Sequence, residues 1–175
     1  SIDFAQGSTS GSVSYIMPTT THNGQTITEA IGYNVLVNDV EMNSGTASAG
    51  ETVTVNLDLT NGYQSIKCYC TLNGKKSQEI IKEIYIGNDI PLAPTNVKLG
   101  NDGIRWDAVT QGINNGYINT SAITYDVYIN DEKVGSSKYP IYAYEFEKGK
   151  TISAYTAKVY AIHAGLQSEP GVSNT

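Results

Sequence analysis

Arginine is almost missing from this chain. Arg105 is the only one, and ten lysines spread over 175 positions supply the rest of the positive charge against a net charge of −6. Phosphate backbones and anionic bilayers require clustered Lys and Arg, so nucleic acid and a polybasic membrane contact are both excluded as expected partners. The tightest cationic pair, Lys75-Lys76, follows Gly74 and reads as a solvated turn. Cysteine is nearly as scarce. Cys68 and Cys70 stand two apart in a strand-like run, on one face, poorly directed for a mutual disulfide, and read as small buried hydrophobes. Only His22 and His163 could join them on a metal, and neither has ligand spacing. No apolar run approaches the ~18 residues of a membrane-spanning helix, and no basic-then-apolar start marks an export signal in this stretch.

What is present is β-rich. Tyrosine supplies 13 of the 16 aromatic residues, and apolar residues alternate with polar ones over short runs, without helical period. The pattern predicts a short edge strand near Ile2 to Ala5, then strands over Val13 to Met17, Tyr33 to Val37, Thr52 to Leu59, Gln64 to Leu72 and Ile80 to Ile86. Within Thr52 to Leu59, Val53, Val55, Leu57 and Leu59 form one dry face. Asn23-Gly24, Asn61-Gly62 and Asn73-Gly74 mark turns between the strands.

The same order recurs downstream. Asn23-Gly24, Tyr33 and Asn38-Asp39 reappear as Asn115-Gly116, Tyr125 and Asn130-Asp131, each displaced by 92 positions (125 − 33 = 92); Tyr69 and Gly74 reappear as Tyr160 and Gly165, displaced by 91. A period this long indicates tandem domains and not a solenoid. The expected boundaries are residues 1–88, a linker at 89–94 stiffened by Pro91 and Pro94, and residues 95–175. In the second copy, strands are predicted over Ile104 to Trp106, Tyr125 to Ile129 and Tyr142 to Phe146.

The second copy resembles a fibronectin type III domain over residues 91–175. Pro91 with Pro94-Thr95-Asn96-Val97 is similar to the family's proline-marked first strand, and Trp106 matches its core tryptophan. Tyr155 to Ala161 is similar to the sixth strand, and Ser168-Glu169-Pro170 to the opening of the last. The first copy is more divergent: Tyr15 stands near the tryptophan position, and Ser77-Gln78-Glu79 replaces Ser-Glu-Pro. The resemblance implies an all-β protein of two tandem seven-stranded immunoglobulin-like sandwiches. It also implies a bacterial secreted or cell-surface setting, in which such modules act as spacers or adhesion modules. The adhesive Arg-Gly-Asp is absent, and its loop reads His163-Ala164-Gly165-Leu166-Gln167.

No nucleophile with a base, carboxylate pair or metal cluster stands out, so no enzyme activity and no cofactor are expected. His22 and His163 read as ordinary surface or turn residues, and Glu145 with Glu147 as the wet face of a strand. Asn88-Asp89, Asn38-Asp39 and Asn101-Asp102 offer oxygens to calcium, but turn chemistry explains them as well. The one candidate binding patch is a surface one. If Tyr125, Val127 and Ile129 face inward on one strand, and Ala157, Val159 and Ala161 on its neighbour, then Tyr128, Lys158 and Tyr160 share the outer face. Such tyrosines can stack on a sugar or anchor a protein, or they can serve the sheet as a cross-strand pair. The expected partner is therefore a protein or a glycan. The function readings are a spacer and adhesion module, a carbohydrate-binding module, or accessory domains of a larger secreted hydrolase.

Overall fold

The computed structural model describes residues 1–173, which fall into two compact units, one spanning Ser1–Gly87 and the other beginning at Asn88. In the first unit the strands are β1 (Ile2–Phe4), β2 (Ser10–Ile16), β3 (Ile31–Val37), β4 (Val40–Ala47), β5 (Thr52–Asp58), β6 (Gly62–Leu72), β7 (Lys75–Lys76) and β8 (Ile80–Ile86). One sheet has the order β1-β2-β5, and the other β4-β3-β6, with β7 and β8 both on the far side of β6. The dry face of β5, Val53, Val55 and Leu57, joins Val13 of β2 and Met17 just beyond it against Val35, Val37 and Ile66 from the second sheet.

The second unit repeats this plan with β9 (Lys98–Gly100), β10 (Gly103–Arg105), β11 (Thr124–Ile129), β12 (Glu132–Ser137), β13 (Ile141–Ala143), β14 (Ala157–His163), β15 (Leu166–Gln167) and β16 (Gly171–Val172). Its sheets have the orders β9-β10-β13 and β12-β11-β14, with β15 and β16 beyond β14. If the interrupted last strand is counted once, each unit has seven strands, in the fibronectin type III-like sandwich of three strands against four. Trp106, Tyr125 and Val159 are among the residues at the centre of this core.

The repeat extends to side-chain geometry. Trp106 meets Tyr125 edge-on at 5.2 Å, and Tyr15 meets Tyr33 edge-on at 6.4 Å, so Tyr15 occupies the tryptophan's place in the first unit. At the β3–β4 and β11–β12 turns both residues have positive φ: Asn38 at 50° and Asp39 at 63°, Asn130 at 49° and Asp131 at 68°. This is the two-residue hairpin for which Asn and Asp are suited. Each turn is clasped in the same way. Asn38 donates its N–H to Ser65 O and accepts Ser65 N–H on Oδ1, while Asn130 does both with Thr156. Asp39 then binds Lys67, and Asp131 binds Lys158.

Several expectations change. The second hairpin arms, β4 and β12, are absent from the sequence-based strands, because β4 is exposed along nearly its whole length and has no dry face to read. The strand expected over Tyr142 to Phe146 is β13, which ends at Ala143; Tyr144 and Phe146 still pack on the core. Residues 89–94, expected as a spacer, are hydrogen-bonded into the second unit: Asp89 N–H to Tyr117 O, Leu92 N–H to Gln111 O, and Ile113 N–H to Ile90 O. Pro91 is fully buried. Prolines read as a linker here because stiffness, not exposure, is what they encode.

Candidate functional site

The outer face of the β11–β14 pair carries the patch. In the antiparallel register Tyr128 lies opposite Lys158 and Asp126 opposite Tyr160, so the tyrosines are diagonal neighbours. Their rings meet edge to face, with centroids 5.3 Å apart and planes at 70°. The structure thus brings Tyr128, Lys158 and Tyr160 together, but all three are half-buried rather than open. Lys158 extends to Asp131 at 2.5 Å, and this bond holds its ammonium above the ordinary lysine range. Beside it, Asp126 accepts from Lys133 and Ser136, each at 2.6 Å. Burial works to raise the Asp126 pKa, but these hydrogen bonds and the lysine charge outweigh it, so the carboxyl lies below its usual range. The patch is an aromatic corner framed by compensated charges. It can offer one ring face and one ring edge to a ligand.

A second polar cluster lies at the edge of the same unit. Asp89 is fully buried. Its Oδ1 accepts from Ile90 N–H and Asn114 Nδ2, both at 2.8 Å; its Oδ2 accepts from Asn114 N–H at 2.8 Å and Gly116 N–H at 2.9 Å. A carboxylate has about four lone-pair positions, and here each meets a donor. Burial pushes its pKa up, yet the four donors together hold the carboxyl below the ordinary range. No lone pair is left for the calcium ion considered at Asn88-Asp89. Gly112 lies against this carboxylate so closely that a Cβ would collide with Asp89 Oδ2.

His163, expected at the surface, is buried at 2% exposure. Its Nε2 accepts Asn119 N–H at 3.0 Å, and its Nδ1 faces Asp89 O at 3.4 Å. The ring therefore spans two backbone groups as a structural tie. Sequence reasoning missed this knot because its members lie at positions 89, 112–119 and 163, which no local pattern connects.

Elsewhere, Cys68 and Cys70 are half-buried free thiols in the first unit, and burial pushes both pKa values up, away from the reactive thiolate. Among the described residues no three His, Cys, Asp or Glu side chains are grouped to hold a metal, and no helix is long and apolar enough to cross a membrane. Asp3, Ser10, Ser12, Asn56, Leu57 and Asp58 are among the residues that line an open hollow of mixed polarity on the β1-β2-β5 sheet.

No protein-family model and no curated protein matches the sequence. Among solved structures the chain is similar to the central fibronectin-III array of RIM-binding protein, at 14% identity and a TM-score of 0.37, covering 99% of this chain and 62% of that one. It is similar to the fibronectin(III)-like modules of Clostridium thermocellum CbhA, at 18% identity and 0.33, covering 98% and 90%. A third likeness is to the BSP domain of a biofilm associated protein, at 15% identity and 0.31, covering 94% and 26%. This chain spans less than two thirds of the first and third of these structures. The sheet order and register of each unit make the chain a tandem of fibronectin type III-like sandwiches.

Proposed function

We propose that the chain is a non-catalytic spacer and adhesion module of an exported cell-surface protein, with its partner, a protein or a glycan, held on a sheet surface. The observation that carries this reading is the fate of the buried ionisable groups of the second unit. Asp89 and His163, which in an enzyme would be candidates for acid-base work, are both engaged by backbone groups and hold loops in place. The polar chemistry of the second unit is spent on architecture, and recognition is left to its surface.

A second reading is favoured by the tyrosine corner. The edge-to-face pair Tyr128 and Tyr160 gives a sugar ring a surface to stack on, beside the polar groups of Asp126 and Lys158. The test is a glycan and extracellular-matrix array probed with the 175-residue chain, with and without calcium. A reproducible signal is expected. Its loss in a folded Tyr128→Ala, Tyr160→Ala double variant would assign the site to the corner. A blank array on folded protein would overturn adhesion and leave the spacer role.

A further inference from the structure

The two units treat the same sheet edge in opposite ways. In the second unit the last strand is broken into β15 and β16, two residues each, with Pro170 between them, so the edge offers no continuous row of backbone groups. In the first unit Ser77-Gln78-Glu79 stands there without a proline. β8 then runs seven residues in unbroken register along β6, from Cys68↔Ile80 to Gly62↔Ile86. The opposite edge of the same sheet, β4, is disrupted by a register shift between Val35 and Leu36. Among the described residues β8 pairs only with β6.

Hydrogen bonding fixes which backbone groups of β8 are free. Cys70 accepts Ser77 N–H on its C=O and donates its own N–H to Ser77 Oγ, so its peptide groups point to the β7–β8 side of β6. By the two-residue period those of Cys68, Ile66 and Gln64 point the same way, and Ser65, whose C=O accepts from Asn38, points the other. Ile80, Lys82 and Ile84 therefore spend their N–H and C=O on β6. Those of Ile81 and Glu83 point outward. Around them Ile80 is 71% and Ile81 54% exposed. Lys82 and Glu83 are exposed and join no ion pair among the described residues.

This edge cannot satisfy its charges with a second copy of itself. When two β8 edges meet antiparallel, outward-bonded residues must pair with outward-bonded ones, so odd positions meet odd and even meet even. Lys82 then faces only Ile80, Lys82, Ile84 or Ile86 of the copy, and Glu83 only Ile81, Glu83 or Tyr85. Lys82 never meets Glu83, and the register that pairs all of β8 with its copy sets Glu83 against Glu83.

We propose that β8 is a strand-addition site for an extended segment of a different polypeptide, bound antiparallel and reading apolar-basic-acidic-apolar. Its basic residue lies opposite Glu83, its acidic residue opposite Lys82, and its apolar residues beside Ile81 and Ile84. This deepens the adhesion reading and rests on it.

The test titrates the intact chain at low salt with two synthetic peptides, Ser-Thr-Val-Lys-Glu-Val-Val-Ser and the same peptide with its central Lys-Glu reversed. The Lys-Glu peptide is expected to bind about tenfold tighter, because the reversed order sets like charges opposite each other twice. The preference inverts in a Lys82→Glu, Glu83→Lys double variant. Glu83→Pro, which removes an outward N–H and spares the β6 ladder, abolishes binding. The proposal is overturned if neither peptide binds the folded chain, if folded Glu83→Pro binds as well as the parent, or if charge order makes no difference. A dimer of the chain alone that Glu83→Pro dissociates would overturn it in favour of self-pairing. An array signal that survives Glu83→Pro would remove this edge from the adhesion site while leaving the adhesion reading intact.

Discussion

Asp89 concentrates the energetics of the second unit in one side chain. A buried carboxylate with four N–H donors leaves all four unsatisfied when truncated, so Asp89→Ala is expected to destabilise the unit by about 3 kcal/mol or more. Asp89→Asn keeps the shape but turns an NH2 group toward donors, so it should cost about 2 kcal/mol. The pH dependence follows from the sign of the shift. Because the folded carboxyl lies below its unfolded range, its contribution is complete above the ordinary carboxylate pKa and is lost as pH falls through the lowered folded value. Trp106 is the only tryptophan and is buried in the second unit, so its fluorescence reads that unit. Urea midpoints followed at Trp106 should fall in acid for the parent protein and change much less with pH in Asp89→Asn. Equal acid slopes in the two proteins would refute this role for the carboxylate.

At the scale of elements, the two hairpin clasps form a matched pair. Asn38 and Asn130 each combine a left-handed backbone with a two-way bond to the neighbouring strand, and Asn38 also donates from Nδ2 to the buried Gln64 at 2.8 Å. Alanine tolerates positive φ poorly and cannot accept the strand N–H. Asn130→Ala should therefore cost about 1–2 kcal/mol and Asn38→Ala somewhat more, measured as the shift in urea unfolding by far-ultraviolet circular dichroism. A smaller loss at Asn38 than at Asn130 would mean that Gln64 finds another donor. These clasps also show what was legible in sequence. The Asn-Asp pairs and the alternation of β3, β5, β6 and β11 are local patterns, and their recurrence at a 92-residue offset sufficed to place two β-rich units, which the fibronectin type III resemblance turned into sandwiches. β4 and β12 left no such trace, since a strand with one neighbour and little buried surface needs no alternation. The outer face of β11 and β14 was readable from parity alone. Its half-burial and its charge pairing with Asp131 were not, because they depend on which turn residue curls over the sheet.

For the whole molecule the decisive question is where the second unit begins. The prolines suggest Thr95, whereas the hydrogen bonds of Asp89 and Leu92 and the burial of Pro91 bring residues 88–94 inside the unit. These alternatives predict different behaviour for two pieces of the chain, 88–175 and 95–175. Removing residues 88–94 takes away the Asp89 carboxylate, three backbone bonds to the loop at 111–117 and the carbonyl facing His163. The donors of Asn114 and Gly116 are then left to water or to nothing. The shorter piece should be less stable by upwards of about 3 kcal/mol, a shift of roughly 1–3 M in urea midpoint at Trp106 for the slopes typical of small domains. If the two pieces unfold at the same midpoint, residues 88–94 are a spacer after all, and the boundary returns to Thr95.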